Sequence, residues 1–271
     1  MKEYAVQVNE GVKFYSIPAL EALPQVCHGF RTRVGGVSTG AYKTMNLSLN
    51  AGEDTDLVEI NRCMFVKALE AGNPEVYTVK QVHGTRVIRI ERKETPAVEF
   101  RQAEGDAIVT DQPGVAIGVL TADCVPVLLV DPVKRAIAAV HAGREGTLQS
   151  ILTHVVQRMV KDFQSSPQEL YAAVGPAIER DCYEVGAEIA ERVQNQSPYA
   201  AEVLSRREGS YYLDLRKMNH LVLLGNGLRE ERIFHVDLCT VCHPRTFYSY
   251  RKNEGRETGR MMAAIMLRED E

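Results

Sequence analysis

The stretch Thr121-Ala122-Asp123-Cys124-Val125-Pro126-Val127-Leu128-Leu129-Val130-Asp131-Pro132-Val133-Lys134-Arg135-Ala136-Ile137-Ala138-Ala139-Val140-His141-Ala142-Gly143 reads as a β-hairpin. Two apolar, β-branched runs flank Asp131-Pro132, a pair that opens a type I turn, so a four-residue loop from Asp131 to Lys134 is expected. That loop pairs Val130 with Arg135. Equal steps back along one arm and forward along the other then set Cys124 opposite His141 on one face of the sheet. Directly opposed Cβ atoms lie about 4.5–5.5 Å apart, near enough for a thiolate and an imidazole to share one metal ion. The same geometry would also serve a metal-free pair of cysteine nucleophile and histidine base. A third metal ligand is then needed. His83, in Lys80-Gln81-Val82-His83-Gly84, is a candidate because it ends another apolar run beside a glycine, although the spacing alone does not select it. Two imidazoles and one thiolate would leave a position open on Zn²⁺, the pattern of a catalytic site and not of a closed structural one.

Around this hairpin lie short β-rich runs at Val76 to Val79, Val87 to Ile90, Ala107 to Thr110 and Val115 to Leu120. Most gaps between them are too short for a crossover helix. Antiparallel pairing should therefore dominate, giving an α+β fold of layered, mixed but largely antiparallel sheets flanked by helices. Further strands are expected near Tyr171 to Val174, Ile233 to Val236 and Arg260 to Leu267. The helices are expected at Asp54 to Ala71, ended by Gly72, at Thr147 to Phe163 with Thr147 as N-cap, and at Asp214 to Leu224 capped by Asp214.

The 271 residues contain no Pro/Ser-rich linker, repeat or low-complexity tract, so residues 1–271 are expected to form a single domain. With 36 acidic against 32 basic residues, the formal charge of −4 offers no overall positive field for nucleic acid or anionic lipid. The longest apolar runs fall well short of the roughly 20 residues that span a bilayer. The N-terminus lacks the charged start and apolar h-region of a secretory signal, so a cytoplasmic location is expected. Six cysteines are too few for a disulfide scaffold and would remain as thiols there.

Other motifs carry less. Cys239-Thr240-Val241-Cys242-His243 spells the C-x-x-C-H pattern of covalent haem attachment, which suits an exported protein; here the thiols are expected to pack or to bind metal adventitiously. Arg31, Arg33 and the glycines of Val34-Gly35-Gly36-Val37-Ser38-Thr39-Gly40 could hold an anion, as could Arg251, Lys252, Arg256 and Arg260. Zinc nucleobase deaminases with H-x-E and P-C-x-x-C are excluded, because no histidine has Glu two residues on and Leu238 precedes Cys239. A multicopper oxidase would need many imidazoles, often as His-x-His, and none of the seven histidines forms such a pair.

Ordered motifs along nearly the whole chain resemble the bacterial YfiH/YlmD family, the laccase-domain proteins long called polyphenol oxidases and now purine nucleoside phosphorylases. They are Thr32-Arg33-Val34-Gly35-Gly36-Val37-Ser38, Lys80-Gln81-Val82-His83-Gly84, Gly105-Asp106-Ala107, Thr121-Ala122-Asp123-Cys124 and Val140-His141-Ala142-Gly143. Val174-Gly175-Pro176-Ala177-Ile178, Cys182-Tyr183-Glu184-Val185, Asp214-Leu215 with Asn219, and Cys239-Thr240 leading to Phe247-Tyr248-Ser249-Tyr250-Arg251 continue the match. The resemblance implies that His83, Cys124 and His141 are both the metal ligands and the catalytic residues, with zinc favoured over copper. It further implies phosphorolysis of adenosine, inosine, guanosine and methylthioadenosine, deamination of adenosine, and a CNF1/YfiH-like cysteine-hydrolase fold. Arg33 and Arg251 stand where contacts to phosphate or nucleoside are expected. One departure bears on this. The family's Trp-Arg-Gly after His-Ala-Gly is replaced by Arg144-Glu145-Gly146, putting an anion where phosphate would want a cation, while Lys252 replaces a common second arginine.

Overall fold

The computed structural model describes residues 3–70 and 75–269. Two six-stranded sheets lie face to face. The first runs in the order Ala5–Asn9, Val12–Ser16, Val26–Arg31, Met261–Leu267, Ala116–Thr121, Val76–Tyr77. The second runs Ile233–His235, Tyr171–Val174, Val125–Asp131, Ala136–Ala142, Ala107–Thr110, Val87–Ile90. A three-stranded sheet of Glu184–Val185, Ser210–Leu213 and Leu204–Arg207 lies beside them. Pairing is antiparallel except at Tyr171–Val174 with Ile233–His235, Val76–Tyr77 with Ala116–Thr121, and Val87–Ile90 with Ala107–Thr110. The expected α+β class and its largely antiparallel sheets are observed.

Side chains alternate across each strand, so each sheet presents two apolar faces and three cores result. Between the sheets, Ile117, Val119 and Ile265 of the first meet Leu128, Val130 and Ile137 of the second. On the outer face of the second sheet, Val127, Leu129 and Val140 pack against Leu152, Val155 and Met159 of helix Ile151–Phe163 and against Leu223 of helix Leu215–Gly225. On the outer face of the first, Met262 and Ala264 pack against Phe65 and Val66 of helix Thr55–Ala68. The result is four layers, helix, sheet, sheet, helix. Among the described residues no helix is long and apolar enough to cross a membrane.

The decisive hairpin forms, but its register differs from the expected one. Asp131 pairs with Ala136 and Pro126 with His141, so the loop is Pro132–Arg135 and not Asp131–Lys134. The Asp131 side chain explains the shift: its Oδ1 accepts the N–H groups of Val133 and Lys134 at 2.9 Å each, turning the chain after Asp131 while Arg135 takes a left-handed φ of 51°. Cys124 is therefore not directly opposite His141. The slip is of two residues in the pairing, which preserves the face, whereas a slip of one would have sent the thiol to the opposite side.

Two helix boundaries also move. The helix expected over Thr147 to Phe163 is two, Arg144–Leu148 and Ile151–Phe163, broken at Ser150, whose φ is +59°. Thr147 is not a cap; its hydroxyl accepts from Asn219 Nδ2 at 3.0 Å. Asp54 caps Thr55–Ala68 through the N–H of Asp56, and Asp214 caps Leu215–Gly225 through Lys217 N–H, each at 2.9 Å. The first of these helices ends at Ala68, ahead of Gly72, which lies outside the described residues.

Candidate metal centre and cleft

His83 and Cys124 both lie on chain segments that cross from the first sheet to the second. His83 falls between Val76–Tyr77 and Val87–Ile90, and Cys124 between Ala116–Thr121 and Val125–Asp131. His141 is the penultimate residue of strand Ala136–Ala142. The seam between the sheets thus gathers all three. One ring nitrogen from each histidine and the Cys124 sulfur lie within 4.8 Å of one another, and the two imidazoles meet edge to face with centroids 4.8 Å apart. His141 is buried, Cys124 half-buried and His83 exposed, so the cluster opens toward solvent on the His83 side.

Neither crossing is a regular strand, and each is held by a carboxylate. His83 does not end a strand as expected but sits in a bend at φ +60°, a conformation unfavourable for a side-chain-bearing residue. Asp106 stabilises it. Its Oδ1 accepts His83 N–H at 2.9 Å, and its Oδ2 accepts Gly84 N–H at 2.7 Å and Val82 N–H at 3.2 Å. The same Oδ1 lies 2.8 Å from His141 Nδ1. An ionised carboxylate can only accept, so His141 keeps a proton on Nδ1, and in the neutral ring that binds a metal it is the Nε2 lone pair that would face the site. Burial would raise the Asp106 pKa, but these hydrogen bonds, led by that from His141, hold it below the ordinary carboxylate value. On the other crossing, Asp123 adopts φ +93°, which breaks the strand just before Cys124. Its carboxylate accepts Thr240 Oγ1–H at 2.6 Å and Arg251 N–H at 2.7 Å, while its carbonyl accepts Ile178 N–H at 3.0 Å. The preceding strand ends at Thr121, so Asp123 follows no strand alternation.

Gly143 completes the cluster by absence of a side chain. A Cβ there would stand 2.9 Å from His83 Cδ2, 3.3 Å from Cys124 Sγ and 3.4 Å from His141 Cε1, so only glycine lets the three groups converge. The donor set and this cradle fit a tetrahedral ion with one position left open. Burial by itself would raise the Cys124 pKa; the neighbouring His141 and His83 outweigh it and bring the thiol down to about 6. Burial likewise disfavours charge on His141, yet Cys124 and Asp106 carry its pKa up to about 9.

The cluster forms part of the wall of a cleft of about 680 Å³. Apolar Val79, Leu120, Ile178 and Leu215 line it together with Arg144, Arg251 and Arg260. Arg251 lies 5.2 Å from the centre of the Tyr183 ring and donates to the Glu184 carbonyl at 3.0 Å. Arg33 is not among the lining residues. Its guanidinium donates to the carbonyls of Lys43 and Pro244 at 2.9 and 3.0 Å and stacks 4.4 Å over Tyr248. The glycine-rich loop after it likewise spends the N–H groups of Gly35, Val37 and Ser38 on Thr44 Oγ1, Asn61 Oδ1 and Thr44 O. Of the basic run near the C-terminus, Arg251 and Arg260 face the cleft, whereas Arg256 pairs with Glu254 on the surface. Glu145 does not stand as a bare anion: Arg144 Nε lies 3.0 Å and Arg192 Nη2 2.8 Å from its carboxylate.

A family model described as "Multi-copper polyphenol oxidoreductase laccase" matches residues 27–268. The chain belongs to this family. The Deinococcus radiodurans relative named "Purine nucleoside phosphorylase" is 38% identical over 242 residues, covering 89% of each chain. "Purine nucleoside phosphorylase YlmD" of Bacillus subtilis is 32% identical over 252 residues, covering 90% of each. The crystal structure of YlmD from Geobacillus stearothermophilus matches with a TM-score of 0.88 at 29% identity, over 99% of this chain and 100% of that one. For this laccase-domain member, sequence alone points to His83, Cys124, His141 and Arg251 and gives Asp106 and Gly143 no role. Asp106 immediately precedes strand Ala107–Thr110, whose pairing with Ala136–Ala142 brings it beside His141; only the sheet order reveals that.

Proposed function

We propose that this chain is a zinc-dependent purine nucleoside enzyme, cleaving adenosine, inosine, guanosine and methylthioadenosine by phosphorolysis and deaminating adenosine. One observation carries the reading: His83, Cys124 and His141 converge in a cleft that also holds three arginines and an apolar wall. The names of the relatives support the nucleoside and phosphate chemistry. His83, Cys124 and His141 would hold the ion, which when bound supplies Lewis-acid polarisation at its open position. Asp106 keeps the His141 proton on Nδ1. Arg251, Arg260 and Arg144 supply positive charge for phosphate, which in phosphorolysis replaces the base at the ribose carbon; holding it in line and away from bulk water is the protein's main contribution. In deamination water replaces the amino group and ammonia leaves. Val79, Leu120, Ile178 and Leu215 offer the apolar surface a purine needs. Zinc is favoured over a multicopper arrangement because, among the described residues, the metal-competent clusters are one of two histidines with a cysteine and one of cysteines alone. The enzyme is proposed to act in the cytoplasm.

The test is incubation of the zinc-loaded protein with adenosine and phosphate, followed by chromatography, with Cys124→Ala as control. Adenine and inosine formed only by the unsubstituted protein support the proposal, and no product from either rejects it. A second reading, a metal-free cysteine hydrolase, is favoured by the same geometry: the Cys124 sulfur lies within 4.8 Å of a His141 ring nitrogen whose partner Nδ1 is 2.8 Å from Asp106 Oδ1, an arrangement that brings the thiol pKa down and the imidazole pKa up and so suits a thiolate beside an imidazolium. Loss of activity on chelation and its return with zinc eliminates that reading.

A further inference from the structure

A second sulfur cluster lies apart from the cleft cluster. Cys239 forms a bridge with Ala177, Cys242 sits on the turn that follows it, and Cys182 closes the short 3-10 turn Arg180–Cys182. All three are free thiols, and their sulfurs lie within 4.8 Å of one another, with Cys182 Sγ 3.4 Å from Cys242 Sγ. Three thiolates on one tetrahedral Zn²⁺, each about 2.3 Å from the ion, stand about 3.8 Å from one another. The 3.4 Å pair lies close to that value, and the other two separations, each within 4.8 Å, admit it. A disulfide would require two sulfurs about 2.05 Å apart and would leave the third unused. The spacing of Cys239 and Cys242 is moreover that of the C-x-x-C half of structural zinc sites.

We propose that Cys182, Cys239 and Cys242 form a second zinc site, with solvent as fourth ligand on the side where Cys242 is exposed. Binding one Zn²⁺ displaces the three thiol protons to the buffer, and no oxidant is involved. Its position gives it a purpose. Tyr183, next to Cys182, lines the cleft, while Thr240, next to Cys239, holds Asp123 and hence the bend that presents Cys124. The ion would tie together the two segments that shape this side of the cleft. The proposal is independent of the reading of the cleft site.

The test is metal content by mass spectrometry after expression with zinc and exchange into zinc-free buffer under a mild reductant. Two zinc ions per chain are expected for the unsubstituted protein, one for Cys242→Ser, one for Cys124→Ala and none for the double variant. Cys242 is exposed, so its loss empties no core; the zinc kept at Cys124 in Cys242→Ser, with an unchanged circular dichroism spectrum, verifies folding. Cys182→Ser serves as a second variant expected to halve the content. Cobalt substitution in the Cys124→Ala background should give a thiolate charge-transfer band that Cys242→Ser abolishes. Zinc content unchanged by Cys242→Ser, or zinc-free cysteines found as a Cys182–Cys242 disulfide with a mass loss of two hydrogens, overturns the proposal. Failure of the cleft site alone would instead show as one zinc per chain that Cys124→Ala leaves in place.

Discussion

Replacing Asp106 by Asn tests the claim that one carboxylate positions two of the three candidate ligands. The substitution is nearly isosteric, so it leaves no cavity, and its effect is confined to hydrogen bonding and charge. If the new amide nitrogen takes the place of Oδ2, it faces the N–H groups of Val82 and Gly84, which now at 3.2 and 2.7 Å donate to oxygen. Both become part-buried donors without an acceptor. If it takes the place of Oδ1, it faces His83 N–H and can satisfy His141 Nδ1 only by donating to it, which moves the imidazole proton to Nε2 and removes the lone pair from the site. The first orientation loses two hydrogen bonds and the second loses one and reverses another; at about 1–3 kcal/mol for each bond lost, unfolding free energy should fall by about 3 kcal/mol. Zinc affinity should fall 10- to 100-fold, as for other residues that orient a ligating histidine. Urea denaturation gives the first quantity and competition with a chromophoric chelator the second. A variant that loses under about 1 kcal/mol and binds zinc within twofold of the parent would refute the role assigned to Asp106.

Gly143→Ala should cut zinc affinity at least about tenfold with little change in helix content, because the added methyl meets His83 at 2.9 Å while the backbone φ of −72° suits alanine; unchanged affinity by the same competition assay would count against the cradle. In metal-free protein, alkylation of Cys124 by iodoacetamide should rise with pH through an inflection near 6, and an inflection near the ordinary value of 9.0 would show that His141 does not support the thiolate. Glu145→Gln should release Arg144 and Arg192 and lower the KM for phosphate about threefold to tenfold in steady-state phosphorolysis; a higher KM would show that the anion is held elsewhere. His28, buried and accepting Ile17 N–H at 2.9 Å, has its pKa pushed down to about 4 by burial. The unfolded chain therefore binds its proton first as pH falls, so this group's contribution is complete above pH 6.5 and declines by about 3 kcal/mol toward pH 4. Urea titrations of His28→Gln should show a correspondingly shallower loss over that range, and parallel profiles would contradict it.

Local pattern made much of this architecture legible. Val87–Ile90 and Ala107–Thr110 are bounded as expected because each is a short β-rich run enclosed by polar residues, and Tyr171–Val174 because Gly175 ends it. What failed locally was backbone detail that apolar spacing does not register. Leu148, Ile151 and Leu152 keep one apolar face across Ser150, so the left-handed break there left no trace in the periodicity. The hairpin register turned on which residue opened the loop, and a slip of two kept the parity of the strand that Cys124 leads into. Long-range pairings lay beyond reach for a different reason. Nothing near Asp106 in sequence announces His141, and nothing near Cys182 announces Cys239; both meetings are set by which strands become neighbours.

The two crossings that carry His83 and Cys124 have a consequence for how the protein comes apart. Neither sheet alone owns the cleft cluster, so an ion bound there recognises only the state in which both are assembled and docked. Its binding free energy then adds to the cooperativity of the entire four-layer body and not to a local loop. Metal loss would be felt as a slackening of the interface between the sheets, far along strands that never touch the ion.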